Sequence, residues 1–115
     1  MEEEINTSFK KLILNDSWWP LSKRIYHHPE LGEQSALFFA FLIEKHDYLV
    51  EQHLINQGDW FFFLKEDIKE KFDKSITWQD NAVMKLKKIG LLETKLGQGK
   101  RRMYRINMKI FKTLL

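Results

Sequence analysis

The sequence predicts a mainly helical α+β fold with a small antiparallel sheet, and three observations lead to that prediction. Apolar residues recur at helical spacing in several segments. A short aromatic run at residues 60–63 is bounded by turn signals, as a brief strand is. Near the C-terminus, KLGQGKRRMYRIN places apolar residues on both sides of two glycines, as a β-hairpin does. The 115 residues suffice for one domain with a core and are too few for two.

Helices dominate the first half of the chain. Apolar side chains at helical spacing predict a helix over residues 2–14, and Pro20 and Pro29 predict an irregular connection after it. Residues 32–50 are the clearest helix of the sequence, and the segment 36–43 is apolar on every side. That pattern predicts burial from more than one direction, by the rest of the domain or by a second copy of the protein.

Short strands and helices alternate in the second half. Either Ser75 or Thr77 caps its longer helix, and Gly90 follows that helix at the position where glycine is preferred. The predicted elements, in chain order, are a strand at residues 60–63, a helix at 65–72, a helix from the cap to residue 89, strands at 91–96 and 102–107 around a turn at 97–100, and a closing helix or tail at 108–115.

This order of strand, short helix, tight turn, longer helix and hairpin is that of a winged helix-turn-helix domain. We therefore predict a single winged-helix domain over residues 1–115. Residues 1–31 would form an N-terminal helix and an irregular connection, 32–107 the core, and 108–115 a C-terminal helix or tail. In such a domain the second helix of the pair enters the major groove of DNA, and the hairpin follows the backbone or the minor groove.

The helix predicted to end at Ile89 has two distinct faces. Ala82, Leu86 and Ile89 form an apolar stripe, with Gln79 and Val83 at its margins. The opposite face carries polar groups near its start and lysines further along. That arrangement suits hydrogen bonds to base edges followed by contacts with phosphates.

Three residues of the polar face are candidates for contacts with bases. The Asn81 amide can pair with adenine through two hydrogen bonds, and Thr77 and Met84 can meet a thymine methyl group. Asp80 suits this face less well, because phosphate repels a carboxylate unless it accepts from a cytosine amine or caps the helix.

Positive charge is concentrated toward the C-terminus. Residues 1–59 contain 5 Lys and Arg against 10 Asp and Glu, whereas residues 60–115 contain 14 against 6. Between residues 85 and 112, ten Lys and Arg accompany one acid, Glu93. Charge of one sign predicts a polyanionic partner, nucleic acid or acidic lipid, whereas a surface built only for solubility mixes both signs.

The predicted hairpin combines apolar and charged positions around its glycines. Its strands are expected to rest on the core through Leu96, Met103, Tyr104 and Ile106, and its turn is permitted by Gly97 and Gly99. The candidate nucleic-acid contacts, on the longer helix and the hairpin together, are Ser75, Thr77, Asn81, Met84, Lys85, Lys87, Lys88, Lys95, Gln98, Lys100, Arg101, Arg102 and Arg105. The hairpin cations are expected to position the protein on phosphates or to reach into the minor groove.

Residues 60–107, WFFFLKEDIKEKFDKSITWQDNAVMKLKKIGLLETKLGQGKRRMYRIN, resemble the winged-helix domains of phage replisome-organiser and replication proteins and of plasmid or integrative-element replication initiators. The upstream LGEQSALFFAFLIEKHDYL is similar to the helix that precedes the domain in those proteins. Two positions depart from the pattern: Lys65 replaces a Ser or Thr cap, and Asp73-Lys74 replaces a turn with glycine. The resemblance implies double-stranded DNA binding in replication initiation or transcription regulation of a mobile element, with a replication or transcription partner protein.

Other classes of function have weaker sequence support. The chain has no cysteine, an acidic N-terminus and no apolar run of about 18 residues, so we expect a cytoplasmic protein that is not bound to a membrane. The four histidines are dispersed, and the GQGK turn lacks the context of a nucleotide-binding loop. We therefore expect no metal, no cofactor and no catalytic activity.

Two alternatives concern partners. A protein-interaction module would use the winged helix only as a scaffold and would dock a partner on the region of Phe38, Phe41 and Leu42. A homodimer is expected if the all-round apolar helix and the terminal MKIFKTLL pair across a two-fold axis, whereas burial of the two within one chain leaves a monomer.

Overall fold

The structure is a computed structural model that describes residues 31–113. In these residues four helices and three strands form a mainly helical α+β fold, which confirms the predicted fold class. The elements are helix α1 (Glu33–Glu51), strand β1 (Phe61–Phe62), helix α2 (Lys65–Phe72), helix α3 (Ile76–Lys88), strand β2 (Leu92–Leu96), strand β3 (Arg102–Ile106) and helix α4 (Met108–Thr113). The predicted helix over residues 2–14 and the connection up to residue 30 lie outside the described residues.

The three strands form an antiparallel sheet in the order β1-β3-β2, with β3 in the centre. Tyr104 of β3 pairs with Phe61 of β1, and both side chains are buried, as is Ile106. Met103 and Arg105 alternate with these buried residues and are partly exposed. Because successive residues of a strand point to opposite faces, the sheet has an inner face toward the helices and an outer face that carries Met103 and Arg105.

Helix α1 is buried from several directions, as its apolar pattern predicts. Phe38 is fully buried and makes edge contacts with Trp78 of α3 and Tyr104 of β3, at ring-centroid distances of 6.0 and 6.1 Å. Phe41 stacks on Phe72 of α2 at 3.6 Å. The apolar sides of α1 therefore pack against several elements of the same chain.

The turn between α2 and α3 joins the two helices without glycine. Asp73 adopts the left-handed backbone conformation, with φ 56° and ψ 46°, which aspartate tolerates better than most residues. Helix α2 begins after Leu64 with no side-chain cap. Helix α3 begins after Ser75, whose Oγ accepts a hydrogen bond from the Trp78 N–H at 3.1 Å, so Ser75 and not Thr77 is the cap.

Gln79 fixes the geometry of the α2–α3 pair. Its side-chain Nε2 donates to the backbone carbonyls of Lys65 at 3.0 Å and Lys74 at 3.1 Å. One buried amide thus connects α3 to the start of α2 and to the turn. Gln79 and Val83, predicted to lie at the margins of the apolar stripe, are both buried, so the buried face of α3 extends to them, while Ile89 is only partly buried.

Helix α3 ends as predicted, at a left-handed glycine. Gly90 has φ 81°, and the Leu91 N–H donates to the Leu86 carbonyl at 3.1 Å. Strands β2 and β3 follow, joined by a 3₁₀ turn at Gln98–Lys100. The expectation that Leu96 and Met103 rest on the core is wrong. Leu96 lies next to the turn, beyond the core, and is 68 % exposed, and Met103 lies on the outer face of the sheet.

A single residue, Asn107, separates the end of β3 from the start of α4. The Asn107 side chain accepts from the backbone N–H groups of Lys109 and Ile110 at 3.0 and 3.1 Å, so Asn107 caps α4 instead of extending β3. Phe111 of α4 is buried, with its ring centroid 6.0 Å from that of Phe39 in α1. The two apolar segments considered for a dimer therefore contact each other within one chain.

Candidate nucleic-acid interface

One face of α3 is exposed along its whole length. The residues on it recur every three or four positions and so lie in one stripe: Thr77, Asn81, Met84, Lys87 and Lys88. Met84 is 65 % exposed. All three candidates for base contacts therefore reach solvent from the first two and a half turns of α3, and the two lysines follow them.

The tip of the hairpin carries exposed polar and charged side chains. Gln98, Lys100 and Arg101 are all exposed. The tight turn places Gly99 at φ 67° and Lys100 at φ 58°, both in the left-handed region. This conformation costs a residue with a Cβ atom roughly 1–2 kcal/mol, so the lysine is held at the tip against its backbone preference.

A cluster of three charged residues joins the base of this tip to α3. The Asp80 carboxylate accepts a hydrogen bond from Arg102 Nη1 at 2.8 Å and forms an ion pair with Lys65 Nζ at 3.2 Å. Arg102 Nε donates to the Tyr104 hydroxyl at 2.8 Å. The Arg102 side chain is only 14 % exposed, so it faces α3 and does not extend beside Arg101 at the tip.

The cluster also changes the acidity of its members. Partial burial on its own raises the pKa of Asp80, but hydrogen bonds and positive charges from Arg102 and Lys65 outweigh it and hold the pKa below 3.8. Burial raises the pKa of Tyr104 above its ordinary value, although the Arg102 charge opposes that shift. Asp80 therefore does not cap the helix. Its carboxylate is ionised, its charge is balanced by Arg102 and Lys65, and it connects α3 to the hairpin.

Two other predicted contact residues are committed to the protein itself. Lys85 Nζ donates to the side-chain oxygen of Gln34 in α1 at 3.4 Å, which turns Lys85 away from the exposed stripe of α3. Ser75 is exposed, but its hydroxyl caps α3. The roles of both residues in binding stay predictions, while their positions favour a structural task.

Lys95 and Arg105 lie on the outer face of the sheet, away from α3. Lys95 Nζ is 4.3 Å and Arg105 Cζ 4.7 Å from the ring centroid of Trp60, which comes directly before β1. Arg105 also forms an ion pair with Glu93. The sequence did not single out Trp60, because only the pairing of both β1 and β2 with β3 brings the two cations to one ring.

Apart from Ser75, Lys85 and Arg102, the predicted contact residues lie on two surfaces. The first, called here the α3–tip surface, consists of Thr77, Asn81, Met84, Lys87, Lys88, Gln98, Lys100 and Arg101. The second, called here the outer sheet surface, consists of Trp60, Phe62, Glu93, Lys95, Met103 and Arg105. The Arg102–Asp80 link lies beside the first surface and faces away from the second.

The histidine and acid pair in α1 supports a loop. His46 Nδ1 lies 3.0 Å from the Asp47 carboxylate, and His46 Nε2 accepts from the Gly58 N–H at 3.0 Å. Both side chains are buried. Within residues 31–113 no group of three or more His, Cys, Asp or Glu side chains is placed to hold a metal ion. His27 and His28 lie outside that range.

Comparisons with known proteins do not identify a family for this chain, so its function is inferred from the geometry of the structure. No helix in the described part of the chain is long and apolar enough to cross a membrane. The α+β domain, with helices and a three-stranded antiparallel sheet, is compatible with a winged helix. No protein-family model, curated protein or solved structure shows a significant match to the chain.

Proposed function

We propose that this protein binds double-stranded DNA as a winged helix-turn-helix domain. Helix α2, the turn at Asp73 and helix α3 would form the helix-turn-helix, and the β2–β3 hairpin would be the wing. Two contacts support this assignment. The Gln79 amide holds the helix pair in a fixed geometry, and the Arg102–Asp80 bond holds the hairpin against α3. A rigid pair of reading elements of this kind is what groove recognition requires.

The observation that carries the proposal is the chemistry of the α3–tip surface. It presents polar and apolar groups at the start of α3, and four exposed cations beyond them: Lys87, Lys88, Lys100 and Arg101. Its neighbouring acid, Asp80, is already neutralised by Arg102 and Lys65. A duplex fits this surface because its phosphates meet the cations while α3 reaches the base edges.

Individual roles follow from side-chain chemistry. In the proposed complex, Asn81 pairs with an adenine, while Thr77 and Met84 contact thymine methyl groups in the major groove. Lys87 and Lys88 bind phosphates beside that groove. Lys100 and Arg101 bind the backbone or enter the adjacent minor groove. Sequence choice would thus come mainly from α3, and affinity from both elements.

The biological role rests on the sequence resemblance alone. We propose that the DNA binding serves replication initiation or transcription regulation of a phage, plasmid or integrative element. The alternative of a protein-interaction module has less support, because the residues considered for docking a partner, Phe38, Phe41 and Leu42, are all buried. A homodimer has less support than expected, since Phe39 and Phe111 pack together within one chain. Light scattering with and without DNA distinguishes a monomer from a dimer.

The proposal is tested by the salt dependence of duplex binding. For each phosphate contact, the slope of log K against log salt changes by about 0.9. The double variant Lys100→Ala/Arg101→Ala should therefore weaken binding and make the slope shallower by about 1.8, the sum for two contacts. A matched control is Lys45→Ala/Lys71→Ala, which removes the same charge at the groove between α1 and α2. That control should leave the slope unchanged.

The same measurement can overturn the proposal. Duplex binding that does not respond to salt, or that the Lys100→Ala/Arg101→Ala variant leaves unchanged, excludes the hairpin tip as a phosphate-binding element. An equal effect of the control variant would show that net charge alone drives binding, without a defined surface. Selection of bound sequences from random duplexes, with Asn81→Ala as comparison, tests the base contact separately.

A further inference from the structure

The outer sheet surface has a composition unlike that of an ordinary solvated sheet face. Trp60 and Phe62 are both partly exposed, and so is Met103, which pairs with Phe62 across β1 and β3. Gly97 closes this surface at one end. A Cβ atom there would lie 2.9 Å from both the Met103 sulfur and the Phe62 ring, so the backbone comes close beneath these two side chains.

Two cations lie against the partly exposed indole of Trp60. Lys95 Nζ lies 4.3 Å and Arg105 Cζ 4.7 Å from the Trp60 ring centroid, within the range of cation–π attraction. The one acid of the surface, Glu93, is already paired with Arg105. An aromatic ring with two cations beside it is chemically matched to a base with phosphates on either side.

This surface does not compete with α3 for a duplex. Tyr104 and Ile106 point from β3 into the core, toward the helices, and Arg105 lies between them on the opposite side of the sheet. Arg102, which shares the inner side with Tyr104, contacts Asp80 of α3. A ligand on the outer sheet surface therefore approaches the domain from the side away from the exposed stripe of α3.

We propose that the outer sheet surface binds single-stranded nucleic acid, with an unpaired base stacked on Trp60. Stacking accepts any base, because every base has a π-face, whereas a duplex keeps those faces covered by neighbouring base pairs. Lys95 and Arg105 exchange their contacts with the indole for contacts with the phosphates next to the stacked base. Glu93 releases Arg105 in the same step. The protein thereby holds a duplex on α3 and an unpaired strand on the sheet.

The experiment measures fluorescence anisotropy of a labelled thymidine oligonucleotide of about 12 nucleotides, which falls within the usual site sizes for single strands. The variant Trp60→Ala should raise the Kd for the oligonucleotide at least about fivefold, and Trp60→Phe should retain most of the affinity. Glu93→Gln should tighten binding, because it removes the competing carboxylate. Duplex affinity should be unchanged in Trp60→Ala, since this residue lies away from the α3–tip surface.

A matched variant on α3 makes the test independent of the duplex proposal. Asn81→Ala/Lys87→Ala should weaken duplex binding and leave the oligonucleotide Kd unchanged. Loss of oligonucleotide binding in this variant, or a Kd that neither Trp60→Ala nor Lys95→Ala/Arg105→Ala alters, would overturn the inference. Vesicles of anionic lipid form the last arm. Trp60-dependent binding to vesicles, without binding to the oligonucleotide, would assign the surface to lipid and refute the proposal.

Discussion

The link between α3 and the hairpin allows a quantitative prediction for the variant Asp80→Asn. Asparagine keeps the shape and one acceptor oxygen for Arg102, so the change removes the negative charge and replaces the other oxygen with an NH2 group. A hydrogen bond that involves a charged group contributes about 1.5–3 kcal/mol. Arg102 keeps its charge in the variant, so the bond should move from the upper to the lower end of this range, a loss of about 1 kcal/mol. The Lys65 pair adds a few tenths at most, because about 44 % of the Asp80 side chain is exposed and solvent screens the charge.

We therefore expect Asp80→Asn to lower the free energy of unfolding by about 1 kcal/mol and Tm by about 3–6 °C. Arg102 cannot recover this loss by turning to another partner. Its side chain is largely buried, and its Nη2 already has no hydrogen-bond partner among the described residues. Urea unfolding followed by circular dichroism measures the effect, provided that the m-value stays constant. The matched control is Glu93→Gln, which removes the partner of Arg105 at a more exposed site and should cost less than about 0.5 kcal/mol.

A double-mutant cycle isolates the pair itself. Asp80→Asn and Arg102→Met together should be less destabilising than the sum of the two single changes, with a coupling of about 0.5–1 kcal/mol. Additive effects, or an Asp80→Asn variant as stable as the unmodified protein at pH 7, would refute the view that this bond holds the hairpin against α3.

The dependence of stability on pH provides an independent test of the Asp80 assignment. The folded-state pKa of Asp80 lies below its ordinary value of 3.8, so the folded state favours the ionised form. The resulting stabilisation is complete above about pH 4 to 5 and is lost as the pH falls through the folded-state pKa. The difference in stability between the unmodified protein and Asp80→Asn should therefore shrink below about pH 4. A difference that grows with acid would contradict this assignment.

Three further predictions address local features. Ser75→Ala should cost about 1 kcal/mol, because it removes the acceptor of the Trp78 N–H at the start of α3, while Thr77→Ala should cost much less; equal losses would contradict the cap assignment. Lys100→Gly should leave stability unchanged or raise it by up to about 1 kcal/mol, since glycine accepts φ 58° without strain, and should weaken duplex binding. A large loss of stability would show that the turn depends on the lysine side chain. Burial should make Tyr104 ionise above pH 10.0, so stability should fall as the pH rises beyond that value, and the late step of an ultraviolet titration should disappear in Tyr104→Phe. A titration without a delayed step would place the hydroxyl in solvent.

The sequence by itself determined the element order, the helix bounds of α2 and the buried face of α3. Each of these depends on a pattern repeated along the chain, as when Ala82 and Leu86 recur at helical spacing and are both fully buried. The end of α3 at Gly90 could also be predicted from the sequence, because the left-handed conformation that follows a helix excludes most residues other than glycine. The buried face of α3 in turn indicated which residues would be exposed on the opposite face, and the candidates for base contacts lie there.

Only the tertiary structure decided what each cation does. Arg101 and Arg102 are neighbours with the same side chain, yet Arg101 is exposed while Arg102 bonds to Asp80, 22 residues away. Lys85 meets Gln34 across 51 residues, and Lys95 reaches a ring that precedes a different strand. A hydrophobic pattern sums the burial of many residues within one segment. The direction of one long charged side chain depends instead on a single partner that folding brings from elsewhere in the chain.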